Sequence, residues 1–217
     1  MEIKKFKNEE YEASDKILTA PNVISFIRLL LVPIYLLLLY NGDRIWALVI
    51  FAIAAASDFV DGQVARRTNQ VSKLGKLLDP AIDTVLMFTG IIGVVAIGAL
   101  PVWFAIYIFA REAFLLIGGF ILINRFNVRV PVIYPGKFAT TFLFVGFAGM
   151  LLGVPVFDGI GLIDVPWLPG FNADAYIVWV WLIYLGIALQ FGVTVYYCWK
   201  AYVLLRERND NTVGERE

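Results

Sequence analysis

Asp58, Asp61, Asp79 and Asp83 stand within SDFVDGQVARRTNQVSKLGKLLDPAID, residues 57–83 of a chain that is otherwise strongly apolar. Asp58 and Asp61 are spaced i, i+3, and Asp79 and Asp83 are spaced i, i+4, so on helices each pair shares a face. The polar stretch Thr68–Lys73 reads as a turn between the two helices. Folding the chain about position 70.5 sets 58 opposite 83 and 61 opposite 79, so all four carboxylates reach similar depth. Four like charges converging in a low dielectric repel and shift toward protonation, and a divalent cation relieves that conflict. The chain has no histidine and a single cysteine, Cys198. Imidazole bases, thiolate metal clusters and an internal disulfide are thereby excluded. Oxygen-only ligation suits Mg²⁺, with Mn²⁺ or Ca²⁺ fitting the same donors. Four carboxylates suffice for two ions, the arrangement that clamps attacking and leaving oxygens at phosphorus. Arg66 lies beside them as a counter-charge for phosphate, and Gly62, Ala65 and Gly75 are small residues that let a ligand or helix approach. A lone intramembrane acid can instead pair with a cation or cap a helix. The mirrored spacing of four points to a metal site.

The elements that must hold these residues are membrane helices. Of the 217 residues, 60% are hydrophobic and 17% charged, and the apolar residues come in runs near the ~20 that cross ~30 Å of hydrocarbon. Six segments are expected, at about 21–41, 45–68, 74–99, 101–124, 136–157 and 173–205. The fold class is all-α: a polytopic membrane protein with six transmembrane helices. Residues 1–20 form a charged juxtamembrane segment without the pattern of a signal peptide, 21–205 the helical domain and 206–217 a polar tail. Lys and Arg gather in the N-terminal segment, between spans 2 and 3, between spans 4 and 5 and after span 6, whereas the opposite loops hold only Arg44. The positive-inside bias puts both termini in the cytoplasm, and with them the mouth of the aspartate hairpin. Trp46, Trp103 and Trp167 then fall at the outer interface and Trp199 at the inner one. The loop 154–174, rich in Gly and Pro, reads as a connection. An ion-coupled carrier also places acids in a membrane, but it favours a midplane site on broken, repeated helices, whereas one hairpin displaced toward the cytoplasm carries these.

Asp58-x-x-Asp61-Gly62-x-x-Ala65-Arg66, then eight residues, then Gly75-x-x-x-Asp79-x-x-x-Asp83 resembles the signature of the CDP-alcohol phosphatidyltransferases at every fixed position. Pro21-Asn22, Ser25, Arg28 and Pro33 in span 1 resemble the opening pattern of that family, and the likeness covers roughly residues 19–205. It implies transfer of a phosphatidyl group from CDP-diacylglycerol to a hydroxyl, with CMP released, at the inner (cytoplasmic) membrane. It implies that Asp58, Asp61 and Asp79 ligate a dinuclear site. Asp83, close to the metals, is the base for the acceptor, and Gly62, Ala65, Arg66 and Gly75 contact the CDP moiety. Homodimers through membrane helices are also implied; nucleic acid is not an expected partner.

The acceptor is read from finer likenesses. Leu78-Asp79-Pro80-Ala81-x-Asp83, Arg111-Glu112 after Pro101-x-Trp103, and Gly136-Lys137-x-x-Thr140 resemble the branch that makes phosphatidylglycerol phosphate from glycerol 3-phosphate. Thr84 departs from the lysine usual there. Stretches 67–78 and 130–153 resemble actinobacterial cardiolipin synthases, whose acceptor is phosphatidylglycerol. Glycerol 3-phosphate is the expected acceptor and phosphatidylglycerol the alternative. Arg111, Arg125, Arg129 and Lys137 are the candidate acceptor-binding cations, with Arg28 behind them. Each also has a plain structural reading, as topology signal, snorkelling side chain or internal ion pair.

Overall fold

In the computed structural model, described for residues 20–68, 73–126, 128, 130, 133–163 and 165–214, six helices carry the chain. They are α1 (Ala20–Tyr40), α2 (Arg44–Thr68), α3 (Lys73–Ala96), α4 (Val102–Phe126), α5 (Tyr134–Leu152) and α6 (Val180–Gly214). Side chains of residues 20, 21, 58–68, 73–80 and 207–214 lie outside the description, although the backbone there is helical. So does everything concerning residues 1–19, the expected juxtamembrane segment.

Sharp turns join the first four helices at the end remote from the aspartates. Gly42 (φ 84°) and Gly98 (φ 73°) take the left-handed conformation. At each, the glycine N–H and the one after it bond back into the last helical turn: Gly42 to Leu39 O and Asp43 to Leu38 O, Gly98 to Val95 O and Ala99 to Val94 O. This paired closure satisfies carbonyls that a helix end leaves open, and glycine takes the required φ without a Cβ penalty.

α1 packs against α2 and α3, α5 lies against α2, α3 and α6, and α4 touches α3 and α6. The core is aromatic and aliphatic: Tyr35, Phe51, Leu86, Ile91, Phe104, Phe147, Leu143 and Ile183 are all buried. Small residues set the spacing. A methyl group at Gly90 would press on Phe51 and Phe147, and one at Gly93 would overlap Tyr35 and Leu39. The exterior is equally apolar, with Phe26, Leu37, Ile106, Phe114, Leu116, Phe120 and Phe191 exposed. A helix hydrophobic all round needs a hydrocarbon solvent, so this is a membrane protein. Four helices are long and apolar enough to cross a bilayer, over Asn22–Tyr40, Val102–Phe126, Tyr134–Leu152 and Val180–Arg206. Among the described residues, α2 and α3 contribute shorter apolar parts, Arg44–Ser57 and Ala81–Ala96, because their other halves carry the motif.

Three expectations are corrected. α5 stops at Leu152 rather than 157, because Gly153 turns left-handed (φ 76°) and bonds to Gly149 O. α6 starts at Val180 rather than 173. Between them, Val156–Phe157 and Tyr176–Ile177 pair as a short antiparallel ribbon, β1 and β2. This loop is more than a connection, since it builds an aromatic lid on the far end of the bundle. Phe171 packs on Trp181 and Tyr184, and the Trp103 indole donates to Trp167 O. At the other end α6 remains helical to Gly214, so much of the expected tail at 206–217 is helix.

Candidate active site

The site grows out of the buried stripe of each of the first three helices. On α1 the stripe is Asn22, Ser25, Arg28, Val32 and Tyr35, all buried, at the i+3/i+4 spacing of one face. Its first three members are polar and its last two apolar. The polar half therefore marks the depth at which something charged sits between the helices. On α2 the stripe Ala47, Phe51 and Ala54 is buried, and the same periodicity carries it on to positions 58, 61 and 65. On α3, positions 79 and 83 continue the stripe of Leu86 and Gly90. Of the motif positions, Asp83 is the one whose side chain is described, and it meets the polar half of α1 through Arg28.

Arg28 is the joint. Its side chain is fully buried, and Nη1 meets Asp83 Oδ1 at 2.8 Å. Its Nε donates to Ser57 Oγ at 3.1 Å, and Ser57 in turn donates to Ala54 O at 2.7 Å. One guanidinium therefore ties α1 to α3 by charge and to α2 by a hydroxyl immediately before Asp58. A charge-assisted contact of this kind is stronger than a neutral one, and arginine's planar fork suits two directions at once. The Asp83 side chain keeps 39% of its surface accessible, so it faces open space while held from behind. The sequence reading places Arg28 behind the acceptor cations; the structure gives it to Asp83. An arginine eight residues into a membrane helix was the available signal. Ser57 gave no signal of its own, since a serine beside an acid is common.

Asp58, Asp61, Gly62, Ala65 and Arg66 lie on α2, and Gly75 and Asp79 on α3; their side chains lie outside the described residues. Among the described residues there is no group of three or more potential metal ligands, Asp83 being the only motif carboxylate described. The donor chemistry fits a hard divalent cation, since the hairpin supplies only carboxylate oxygens at these positions.

The candidate acceptor cations are spread over other elements. Arg111 pairs with its neighbour Glu112 and donates from Nε to Thr194 Oγ1 on α6 at 3.3 Å, an arrangement that braces α4 against α6. Arg125 is exposed at the end of α4, and Lys137 is exposed in the first turn of α5, with Nζ 5.9 Å from the centroid of the Tyr134 ring. Arg129 lies outside the described residues. Two residues of the α4–α6 seam escaped the sequence reading. They are Thr194, which donates to Gln190 O at 2.8 Å, and Gln190, whose buried amide has no hydrogen-bond partner among the described residues.

Apolar helices with an apolar exterior, and a buried arginine holding Asp83 between them, define a membrane protein with a charged site inside its helix bundle. The chain belongs to the CDP-alcohol phosphatidyltransferase family, whose model matches residues 18–192. It is 38% identical to a "Cardiolipin synthase (CMP-forming)" of Streptomyces coelicolor over 69% of this chain and 71% of that protein. It is 40% identical to a "Putative cardiolipin synthase" of Mycobacterium tuberculosis, over 64% of this chain and 67% of the relative. It is also 34% identical to the "CDP-diacylglycerol--glycerol-3-phosphate 3-phosphatidyltransferase" of Aquifex aeolicus, over 63% and 76% of the two chains. The family and these names mark the chain as a phosphatidyltransferase of phospholipid biosynthesis.

Proposed function

We propose that this enzyme transfers the phosphatidyl group of CDP-diacylglycerol to a primary hydroxyl on a glycerol phosphate unit, releasing CMP. The observation that carries the reading is Asp83: half-open, on the inward face of the hairpin, and fixed by a buried guanidinium. In this reading Asp58, Asp61, Asp79 and Asp83 hold two Mg²⁺ ions, with Mn²⁺ as an equivalent. Bound there, the ions would polarise the diphosphate and offset the charge that develops on it. Gly62, Ala65 and Gly75 leave room for the cytidine diphosphate, and Arg66 neutralises a phosphate. Arg28 holds Asp83 as a carboxylate aimed into the site, where it takes the acceptor's proton. All six helices span the bilayer, with both termini and the mouth of the hairpin on the cytoplasmic side, as the distribution of Lys and Arg requires. The diacyl chains then stay in lipid while the nucleotide enters from water.

Two acceptors satisfy this chemistry. Phosphatidylglycerol is supported by the identities of 38% and 40% to proteins named as cardiolipin synthases and by Thr84. Glycerol 3-phosphate, the acceptor expected first from the Leu78–Asp83 pattern, is supported by the relative at 34% and stands here as the second reading. The test is CMP release by purified protein with CDP-diacylglycerol and Mg²⁺, offering each acceptor separately. Asp61→Asn is expected to lower turnover by at least about 1,000-fold, since losing a metal ligand removes several kcal/mol of transition-state stabilisation at ~1.4 kcal/mol per tenfold. Near-normal turnover in that variant would overturn the metal-site assignment.

A further inference from the structure

The second half of α4 stands apart from the bundle. Its buried residues, Phe104, Ala105 and Ile108, all lie in the first third of the helix. Beyond the Arg111–Thr194 contact, α4 and α6 diverge around a groove of about 620 Å³. Phe114, Gly118 and Leu122 line one wall, and Cys198, Ala201 and Leu205 the other. The run from Phe114 to Phe126 is ~18 Å at 1.5 Å per residue, about the hydrocarbon depth of one leaflet. Gly118 and the adjacent Gly119 are unlike the core glycines. A Cβ at either would meet nothing within 4 Å among the described residues, so no described part of the chain fills the space they leave. The Arg111–Thr194 hydrogen bond joins the two helices about one turn before Phe114 and Cys198. Exposed Arg125 and Arg206 stand next in sequence to the lining residues Phe126 and Leu205 at the other end.

We propose that this α4–α6 groove seats an acyl chain of the acceptor, an anionic glycerophospholipid whose phosphate is held at the rim by Arg125 and Arg206. The inference rests on the phosphatidylglycerol reading above and adds a site to it. The lining is predominantly apolar, with Tyr197 and Cys198 its polar members, which suits a hydrocarbon tail, and guanidinium groups at one end match phosphate. A second copy of this chain fits the face less well. A two-fold axis along the membrane normal would bring each cationic rim against its equivalent at the same depth. An anionic headgroup supplies the countercharge instead.

The experiment uses the full chain in mixed micelles. Gly118→Leu and Gly119→Leu fill the groove without meeting the bundle. Each is expected to raise KM for phosphatidylglycerol tenfold or more at unchanged kcat, and Arg125→Ala and Arg206→Ala to raise it severalfold. Cys198, the only cysteine, reports binding independently of turnover: its alkylation by N-ethylmaleimide should slow severalfold with phosphatidylglycerol and not with phosphatidylcholine. Equal protection by both lipids means ordinary bilayer contact and overturns the proposal. Protection that grows with protein concentration in lipid-free detergent means a second copy and overturns it too. If wild-type protein uses phosphatidylglycerol, yet the leucine variants keep its KM and Cys198 stays unprotected, the groove assignment fails and the reaction stands. If CMP appears only with glycerol 3-phosphate, the acceptor reading fails and the groove assignment with it.

Discussion

At the scale of single residues, Arg28 carries the most structural consequence. A buried guanidinium is tolerated only when its charge and donors are met, and here they reach Asp83 on one helix and Ser57 on another. Replacing Arg28 by Gln leaves Asp83 without this partner and removes the joint among three helices. The expected loss is ~3 kcal/mol, at the lower end for a broken buried pair because Asp83 is partly open. It would register as a lower thermal transition in detergent, together with a large fall in turnover. Ser57→Ala removes one hydrogen bond to a charged donor, so a loss of ~1.5 kcal/mol is expected. A transition temperature unchanged in both variants would show that the joint contributes nothing to stability. The sequence singled out four acids because carboxylates in apolar segments are costly and their spacing is mirrored; of the four, Asp83 is the one whose side chain the structure describes. The joint was not legible: that Arg28 faces Asp83 depends on how α1 rotates against the hairpin, which no local pattern fixes.

At the scale of helices, the tightest approach is α1 against α3, where the Tyr35 ring lies over Gly93. The phenol oxygen of Tyr35 is buried with no partner among the described residues, so it contributes volume more than bonding. Gly93→Ala is expected to destabilise by ~1–3 kcal/mol, the usual cost of overpacking. Tyr35→Phe removes the unpaired hydroxyl and should be neutral or slightly stabilising. The two changes share one contact, so the double variant should recover part of the loss, a coupling a double-mutant cycle reads directly. Strict additivity would mean that Leu39, the other neighbour of Gly93, sets the spacing alone. Helix existence was legible throughout from runs of apolar residues. The ends of α5 and the start of α6 were not, because the residues from 153 to 179 are nearly as apolar as the spans they join. Their hydrophobicity serves the ribbon and aromatic lid, and hydropathy does not distinguish that packing from burial in lipid.

At the scale of the whole molecule, the placement of charge makes a claim about sidedness. Six spans, as proposed, would return the chain to the side on which it began, and the basic residues of the sequence collect in the segments on that side. The aromatic lid around Trp103, Trp167 and Phe171 then faces outward. α6 supports the same orientation: at ~1.5 Å per residue its 35 residues run about 52 Å, well beyond the ~30 Å of hydrocarbon. The surplus lies past Arg206, where the sequence becomes charged, so in the proposed topology this end leaves the membrane into water on the hairpin side. With Cys198→Ser as background, Leu162→Cys on the exposed lid loop should react in intact cells with a membrane-impermeant maleimide once the outer layers are permeabilised. Asp210→Cys should react only after the inner membrane is opened. The reverse pattern would place the hairpin on the outer side, away from cytoplasmic nucleotide, and a CDP-lipid reaction there would lose its supply. Reaction of both cysteines from the same side would mean that α6, the one helix between them, does not cross the bilayer, and the proposed six-span topology would fall with it.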